Sequence, residues 1–384
     1  MAKNENKVKY GMFGGGEGSF IGAVHRNALG MVGNAELVCG CFDINHENNI
    51  FSGHKYGLEE QRIYDSYAIM AENESLRPDK PDFMIIATPN NLHFPAAKEF
   101  LSKGFNVVCE KPLCFEVEEA EELKKLADDK GLTFCITYAY LGYPMMKQAR
   151  YLVQNGDIGE VTNIMAEYAQ DWIGEQCENT NGNPSNWRND PKINGKSGAI
   201  GDIGTHIECA VSYITGLKIE SLCANLRTIG RGMKLDTNGE VLIKYDGGAS
   251  GIYWCSQVAY GYNNGLRIRI FGTKGAIEWE QEDPCKLKVS IVGKPPQILI
   301  QGRDYLADSA RKYCRLPTGH PEGFYEAFAN VYTAFTGVLL KQKSGLSITN
   351  EDKDFAGIIE GLNGVKFIDA CLRSSQKNSE WIEY

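Results

Sequence analysis

VKYGMFGGGEGSFIG (residues 8–22) joins a short apolar run to a cluster of glycines near the start of the chain. The apolar run predicts a buried β-strand, and the residues after the glycines predict the start of a helix. Glycines permit a tight turn and let the backbone approach a pyrophosphate, which binds at a helix N-terminus. This segment therefore predicts a dinucleotide-binding strand, turn and helix.

The glycine cluster departs from the strict G-x-G-x-x-G spacing. Its sixth position is Ser19, and the pattern is restored if three of the residues between Gly16 and Gly22 are treated as an insertion. A glycine-rich turn alone is also compatible with a flexible loop, but its place between a strand and a helix favours cofactor binding. The residues of this segment that we expect to contact the cofactor are Gly14, Gly15, Gly16, Ser19, Phe20 and Ile21, with the Ser19 hydroxyl offering a further hydrogen bond.

Strand and helix signals alternate through the N-terminal third of the chain. The apolar runs are short and continuous, as is typical of strands buried on both faces. This alternation predicts an α/β fold with a doubly wound, parallel Rossmann sheet. The predicted strands lie at residues 8–13, 36–42, 82–87, 105–109 and 132–137, and the predicted helices at 94–104 and 116–130.

The pattern changes after about residue 145. Short strand signals fill residues 219–292, which predicts a mostly antiparallel, open sheet. We therefore expect two domains, an NAD(P)-binding domain at 1–145 and a substrate-binding and oligomerisation domain at 146–384. Further expected features are hairpin turns at 246–248 and 273–275, a long functional loop at 174–197, and helices at 322–341 and 351–374.

Composition excludes several classes of protein. The chain has 384 residues and a net charge of −9, which argues against a nucleic-acid or anionic-membrane surface. No apolar run approaches the length of a membrane span, and residues 1–10 show no secretion signal. The twelve cysteines include no C-x-x-C pair, and no cluster has metal-ligand spacing. We expect reduced thiols, a cytoplasmic protein and no metal site.

Asp43 follows the second predicted strand, 21 residues after Gly22. An acid at this position typically binds the ribose hydroxyls of a dinucleotide and repels a 2′-phosphate. The residue therefore favours NAD over NADP. The alternative is that Asp43 caps the polar helical segment that follows.

Three motifs, ATPNNLH (87–93), CEKPL (109–113) and GAIGDIGTH (198–206), occur together behind the glycine-rich turn. The combination resembles the signature of the glucose–fructose oxidoreductase and inositol dehydrogenase (Gfo/Idh/MocA) family. GGGEGSFIGAVHR (14–26), NWRNDP (186–191) and GHPEGFYEAFANVY (319–332) resemble one subgroup of it. The resemblance extends from Val8 to about Cys371. It implies a Rossmann domain, an α/β domain with a large open sheet, NAD(P)-dependent oxidation or reduction of sugars, inositols or related polyols, and a homodimer or homotetramer.

The motifs after the third and fourth strands lie where ligands bind in parallel sheets, at the carboxyl edge. A proline after Lys111 favours an extended backbone that directs the lysine amine toward the crevice. The cofactor contacts expected at this edge are Thr88, Pro89, Asn91, His93, Glu110 and Lys111.

Lys111, Asp202 and His206 are the expected catalytic residues. The oxidation of a carbinol needs a base for the hydroxyl proton as the hydride leaves, and His206 is our first choice. Lys111 is expected to bind the same oxygen and stabilise its developing charge, and Asp202 to bind the substrate or orient the base. The resemblance leaves open whether Lys111 or His206 takes the proton.

Substrate recognition is expected from an indole that stacks on a sugar face and a guanidinium that binds paired hydroxyls. The expected substrate contacts are Lys111, Tyr140, Trp187, Arg188, Asp202 and His206. Tyr138 is a weaker candidate, His320 lies either near the pocket or at a helix start, and His25 is expected to be structural.

The interpretation favoured by these residues is an NAD-dependent dehydrogenase that oxidises a secondary hydroxyl of a cyclic polyol, sugar or glycoside. A second interpretation is a glycoside-cleaving enzyme that retains NAD and oxidises a ring hydroxyl transiently. A third is a non-catalytic sugar or cofactor sensor, because a fold alone does not determine function. The presence of Lys111, Asp202 and His206 together argues against a sensor.

Overall fold

The computed structural model describes residues 7–179 and 187–384. Residues 1–10, which are expected to carry no secretion signal, and the predicted loop at 174–197 therefore lie partly outside the described residues. Contacts divide the chain into two compact units. The first unit comprises Met1–Ala139 and Phe328–Leu362, and the second comprises Tyr140–Ala327 and Asn363–Tyr384.

The first unit contains a five-stranded sheet in which all pairs are parallel, with strand order β2-β1-β3-β4-β5. Its strands are β1 (Val8–Gly14), β2 (Ala35–Cys41), β3 (Phe83–Ala87), β4 (Asn106–Cys109) and β5 (Phe134–Ile136). Its first helices are α1 (Phe20–Val32), α2 (His46–Lys55), α3 (Tyr67–Ser75), α4 (His93–Ser102) and α5 (Val117–Lys130). The predicted doubly wound, parallel sheet is confirmed.

Residues far along the chain complete the core of the first unit. Phe335 packs edge-on against Phe83 of β3, with ring centroids 5.2 Å apart. The backbone N–H of Ile136 in β5 donates to the carbonyl of Ala356 at 2.9 Å. The contacts thus group Phe328–Leu362 with the first unit, whereas the prediction drew a single boundary near residue 145. The reason is that the apolar face of a late helix covers this sheet.

The second unit is built on a nine-stranded sheet of order β13-β12-β11-β10-β6-β9-β8-β7-β14. The register pairs are antiparallel except for β6 and β9, which run parallel, so the predicted mostly antiparallel sheet is confirmed. Its strands are β6 (Val161–Ala169), β7 (Ile219–Arg227), β8 (Asn238–Tyr245), β9 (Ser250–Ser256), β10 (Gly265–Gly272), β11 (Gly275–Glu280), β12 (Lys286–Ile291), β13 (Gln297–Ile300) and β14 (Ile382–Glu383).

The remaining helices all begin after residue 140. They are α6 (Pro144–Gln154), α7 (Trp172–Asn179), α8 (Pro191–Asn194), α9 (Thr205–Thr215), α10 (Asp308–Arg311), α11 (Phe324–Lys343) and α12 (Ile358–Gln376). The predicted hairpin turns join β8 to β9 and β10 to β11, as expected. The predicted loop at 174–197 is wrong in its described part, because α7, a 3₁₀ turn at Trp187–Asn189 and α8 lie there.

Two further findings concern the cysteines and the helices. All twelve cysteines lie in the described residues and are free thiols, and nine of them are buried. No helix within residues 7–179 and 187–384 is long and apolar enough to cross a membrane.

Candidate functional site

The glycine turn after β1 is shaped by close backbone packing. Gly14 and Gly15 have φ angles of 79° and 73°, a conformation that side chains disfavour. A Cβ on Gly22 would lie 2.4 Å from the Cα of Gly15, so α1 packs directly against the turn. Gly22 therefore takes the place of the third glycine of the fingerprint, where close packing of helix on strand is required.

Ser19 caps the N-terminus of α1, the helix that follows the glycine turn. Its hydroxyl accepts a hydrogen bond from the Gly22 N–H at 3.2 Å and caps α1, whose first residue, Phe20, is exposed. On the inner side of the turn, the Arg26 guanidinium donates to the Gly15 carbonyl at 2.5 Å and stacks on Tyr56. The loop is thus fixed from both ends, and the N-terminus of α1 faces the turn as a dinucleotide site requires.

Asp43 lies half-buried just after β2. Its carboxylate accepts hydrogen bonds from the Asn45 N–H at 2.9 Å and from the Asn48 side-chain amide at 2.5 Å. Asn45, rather than Asp43, caps α2. The capping alternative for Asp43 is therefore excluded, and its acceptor oxygens lie at the strand end where ribose hydroxyls bind.

Thr88 follows β3 at the point where the strand order of the sheet reverses, next to the end of β1. A Cβ on Gly14 would lie 2.4 Å from the Ala87 carbonyl, so the two strand ends are in contact. The Thr88 hydroxyl is buried and has no hydrogen-bond partner among the described residues. A buried orphan hydroxyl beside a side-chain-free cradle fits a bound NAD at this switch point.

His93 lies wholly buried under this edge of the sheet. Its Nδ1 is 2.8 Å from the Pro112 carbonyl and its Nε2 is 3.1 Å from the Thr88 carbonyl. Burial lowers the pKa of the imidazole, although both carbonyls oppose this effect. The imidazole therefore links the segment after β3 to the segment after β4. At the same edge of the sheet, Pro89 is half-buried and Asn91 is exposed.

Glu110 belongs to a buried network that the sequence did not reveal. Its carboxylate is 3.1 Å from His25 Nε2, and His25 Nδ1 is 2.6 Å from the Tyr332 hydroxyl. Burial raises the pKa of the Glu110 carboxyl, but hydrogen bonds from His25 and Thr137 outweigh it and lower the pKa below its ordinary value. The ionised carboxylate anchors the segment that carries Lys111, which is half-buried and joined to Pro112 by a cis bond.

Asp202 and His206 lie in the second unit, on a helix that starts with an unusual turn. Residues Ile200–Gly204 form a π-helical turn that continues directly into α9, a feature frequent at functional sites. The buried Asp236 carboxylate accepts from the Gly198 and Ile200 N–H groups at 2.7 and 3.0 Å. Burial raises the pKa of Asp236 despite these hydrogen bonds.

A cavity in the second unit collects polar side chains around Asp202. The buried Gln257 amide donates to Asp202 Oδ2 at 2.8 Å. Arg188 lines the same cavity, and its guanidinium lies 4.5 Å from the Trp187 ring centroid. The predicted substrate residues Arg188 and Asp202 thus lie near each other. Gln257 lies beside them, although it belongs to no motif that could have predicted this position.

His206 packs against a group of aromatic rings. The Tyr140 ring centroid is 4.9 Å from the imidazole, and the Tyr168 centroid is 6.0 Å from it. Tyr140 therefore lies beside the expected base, whereas Tyr138 is buried core and belongs to the first unit. His320 is exposed, with its ring near the Pro317 carbonyl. Within residues 7–179 and 187–384 no group of His, Cys, Asp and Glu could hold a metal.

Two family models match the chain. Residues 8–138 match the oxidoreductase family with an NAD-binding Rossmann fold, and residues 146–278 match the GFO/IDH/MocA C-terminal domain. An uncharacterised oxidoreductase of Bacillus subtilis is 34% identical over 381 residues, which cover 98% of this chain and 97% of the relative.

The chain belongs to the Gfo/Idh/MocA family.

Two further relatives of this chain have a named activity or a bound ligand. A solved inositol dehydrogenase homologue from Azotobacter vinelandii, complexed with NADH and myo-inositol, is 32% identical with a TM-score of 0.89, and the match covers 99% of this chain and 98% of the homologue. A levoglucosan dehydrogenase of Pseudarthrobacter phenanthrenivorans is 30% identical over 237 residues, which are 55% of this chain and 59% of the relative. This Gfo/Idh/MocA protein is therefore an oxidoreductase with NAD as its cofactor.

Proposed function

We propose that this protein oxidises a secondary hydroxyl of a cyclic polyol, sugar or glycoside, with hydride transfer to NAD. The observation that carries the proposal is the cluster of Asp202, Gln257 and Arg188 in the second unit, whose carboxylate, amide and guanidinium groups offer acceptors and donors suited to vicinal hydroxyls. The relatives that act on levoglucosan or bind myo-inositol support this substrate class.

The proposed roles follow from the chemistry of each side chain. Bound NAD would supply the acceptor for the hydride. The glycine turn, Asp43 and Thr88 hold the cofactor, because they supply a backbone cradle, a ribose acceptor and a free hydroxyl. His206 takes the hydroxyl proton as the hydride leaves, and Asp202 binds a substrate hydroxyl.

Lys111 completes the proposed catalytic set. Its ammonium group donates a hydrogen bond to the reacting oxygen and stabilises the negative charge that develops there. The ionised Glu110 carboxylate accepts a hydrogen bond from the Lys111 backbone N–H at 3.3 Å, which supports a fixed position for this lysine.

The test is NADH absorbance with purified protein, NAD or NADP, and a panel of inositols, monosaccharides, levoglucosan and glycosides. We expect stoichiometric NADH with at least one cyclic polyol, and a preference for NAD over NADP because of Asp43. Cleavage of a glycoside without net NADH would favour the NAD-retaining alternative instead. Absence of any reaction across the panel, with NADH binding intact, would contradict the proposal.

We also propose a homo-oligomer in a reducing compartment such as the cytoplasm. Twelve free thiols support the compartment. The outer face of the nine-stranded sheet supports the oligomer, because Leu242, Ile252 and Met165 lie side by side in register there and are 46%, 47% and 39% exposed.

A further inference from the structure

A chain of amide hydrogen bonds in the second unit leads from Trp172 to Tyr140. The Trp172 indole N–H donates to Gln170 Oε1 at 3.0 Å. Gln170 Nε2 donates to Asn264 Oδ1 at 2.7 Å, and Asn264 Nδ2 donates to the Tyr140 hydroxyl at 3.1 Å. The chain crosses from the end of β6 to the loop before β10, so residues far apart in sequence meet in it.

The direction of this chain is fixed by its first member. An indole N–H can only donate, so Gln170 must turn its carbonyl oxygen toward Trp172 and its amide nitrogen toward Asn264. Asn264 must then present its oxygen to Gln170 and its nitrogen to Tyr140. A flip of either amide would place two donors or two acceptors against each other.

The same assignment fixes both tyrosine hydrogens. The Tyr168 hydroxyl lies 2.6 Å from Asn264 Oδ1, which can only accept, so Tyr168 donates to it. The Tyr140 and Tyr168 hydroxyl oxygens are 2.5 Å apart. Because the Tyr168 hydrogen is already used, Tyr140 must donate to Tyr168. Three side chains thus form a closed ring in which every hydroxyl hydrogen has one direction.

The ring lies against the expected base. Tyr140 is buried and packs on His206, and its hydroxyl hydrogen points at Tyr168. Burial raises the pKa of the Tyr140 phenol, so the hydroxyl stays neutral. Tyr140 can therefore accept a hydrogen bond, but it has no hydrogen left to give to a substrate oxygen.

We propose that Asn264 and Gln170 are positioning residues, which hold Tyr140 against His206 and keep its hydroxyl an acceptor. The proposal rests on the proposed function, because it assigns His206 rather than Tyr140 to the proton transfer. Loss of the Gln170 or Asn264 amide removes the groups that orient this network, so the Tyr140 hydroxyl can reverse its hydrogen and the Tyr140 phenol can move relative to the imidazole. Small displacements of groups that orient a reacting side chain reduce turnover strongly.

The first test compares two variants that remove the same kind of hydrogen bond. Tyr168→Phe opens the ring, whereas Tyr253→Phe removes one hydroxyl from the buried Tyr245–Tyr253 pair, whose oxygens are also 2.5 Å apart. We expect Tyr168→Phe to lower kcat about 10- to 100-fold with KM for NAD unchanged. Tyr253→Phe should lower Tm by about as much as Tyr168→Phe does, but it should leave kcat near the wild-type value. Equal kcat values for the two variants would overturn the proposal.

The second test does not depend on turnover. Asn264→Asp replaces the amide donor with an acceptor and forces Tyr140 to reverse its hydrogen, and Asn263→Asp adds the same charge at an exposed neighbour. At fixed pH, the ¹⁵N chemical shifts of the His206 ring should differ from wild type in Asn264→Asp and Tyr168→Phe only. If the His206 shifts are unchanged in both Asn264→Asp and Tyr168→Phe, the proposed network is wrong. If the two variants change the shifts but the wild-type protein oxidises no polyol, only the proposed function is wrong.

Discussion

Lys111 and His206 carry the proposed chemistry at the scale of single residues. We expect Lys111→Ala or His206→Ala to lower kcat about 10²- to 10⁴-fold, because each removes a group that acts on the reacting oxygen. The dissociation constant for NADH should change by less than about threefold, since the cradle is built from the glycine turn, Asp43 and Thr88. Steady-state kinetics and a fluorescence titration with NADH separate the two quantities.

The matched control for that prediction is Lys125→Ala, an exposed lysine on α5 that should leave both quantities at wild-type values. A parallel loss of turnover and NADH affinity in Lys111→Ala or His206→Ala would contradict their assignment as catalytic residues. It would indicate instead that these side chains hold the cofactor or the fold.

How far single residues could be predicted depended on motif context. Lys111, Asp202 and His206 occur in short motifs that contain prolines or glycines, so their proposed roles could be inferred from the sequence. Gln257 and Asn264 stand alone among ordinary strand and loop residues, and only the register of β9 and β10 brings them to the site. An amide has no spacing signature, so its partners cannot be inferred before the strands are paired.

A buried hydrogen-bond network joins elements that the sequence keeps far apart. Glu110 links α1 through His25 to α11 through Tyr332, and its pKa lies below the ordinary value of 4.5. A lowered pKa in the fold means that the ionised carboxylate stabilises the protein above about pH 4.5, and that this contribution is lost as the pH falls through the folded pKa. Glu110→Gln should therefore flatten the acid limb of the stability curve.

The same substitution has a second expected effect near pH 7. Glu110→Gln should lower the free energy of unfolding by about 1–3 kcal/mol, because a charged hydrogen-bond acceptor for His25 is replaced by a neutral one. Urea unfolding at several pH values measures both effects, with the exposed Glu118→Gln on α5 as the control. An acid limb as steep in Glu110→Gln as in wild type would show that the carboxyl titrates normally in the fold.

Periodicity predicted the first sheet better than the second. The strands of the first sheet are continuous apolar runs separated by amphipathic helices, so their order along the chain is plain. VTNIMAEYA (Val161–Ala169) mixes polar and apolar residues, because one face of β6 is buried and the other is exposed, and it was missed. The helix α7 was missed because the residues that follow it are rich in asparagine and glycine, and the predicted loop was extended back over most of the helix.

At the scale of the whole molecule, the net charge of −9 has to coexist with an anionic cofactor. Local backbone N–H groups at the start of α1 explain this better than net charge does, because their field acts within a few ångströms of the phosphates. The same net charge argues against a nucleic-acid surface. It also opposes association between like-charged copies, so we expect a homo-oligomer to form through apolar contact.

The outer face of the nine-stranded sheet is where we expect that contact. Ile252 lies between Leu242 and Met165 in register, so Ile252→Lys places a charge at the centre of the apolar patch. Burying an unpaired ammonium is costly, and the variant should dissociate into monomers in light scattering at micromolar concentration. Ile298→Lys, at an exposed position on the edge strand β13, is the control and should assemble as wild type does. If both variants keep the wild-type mass, a different surface holds the copies together; if wild type is itself monomeric, the patch serves another purpose.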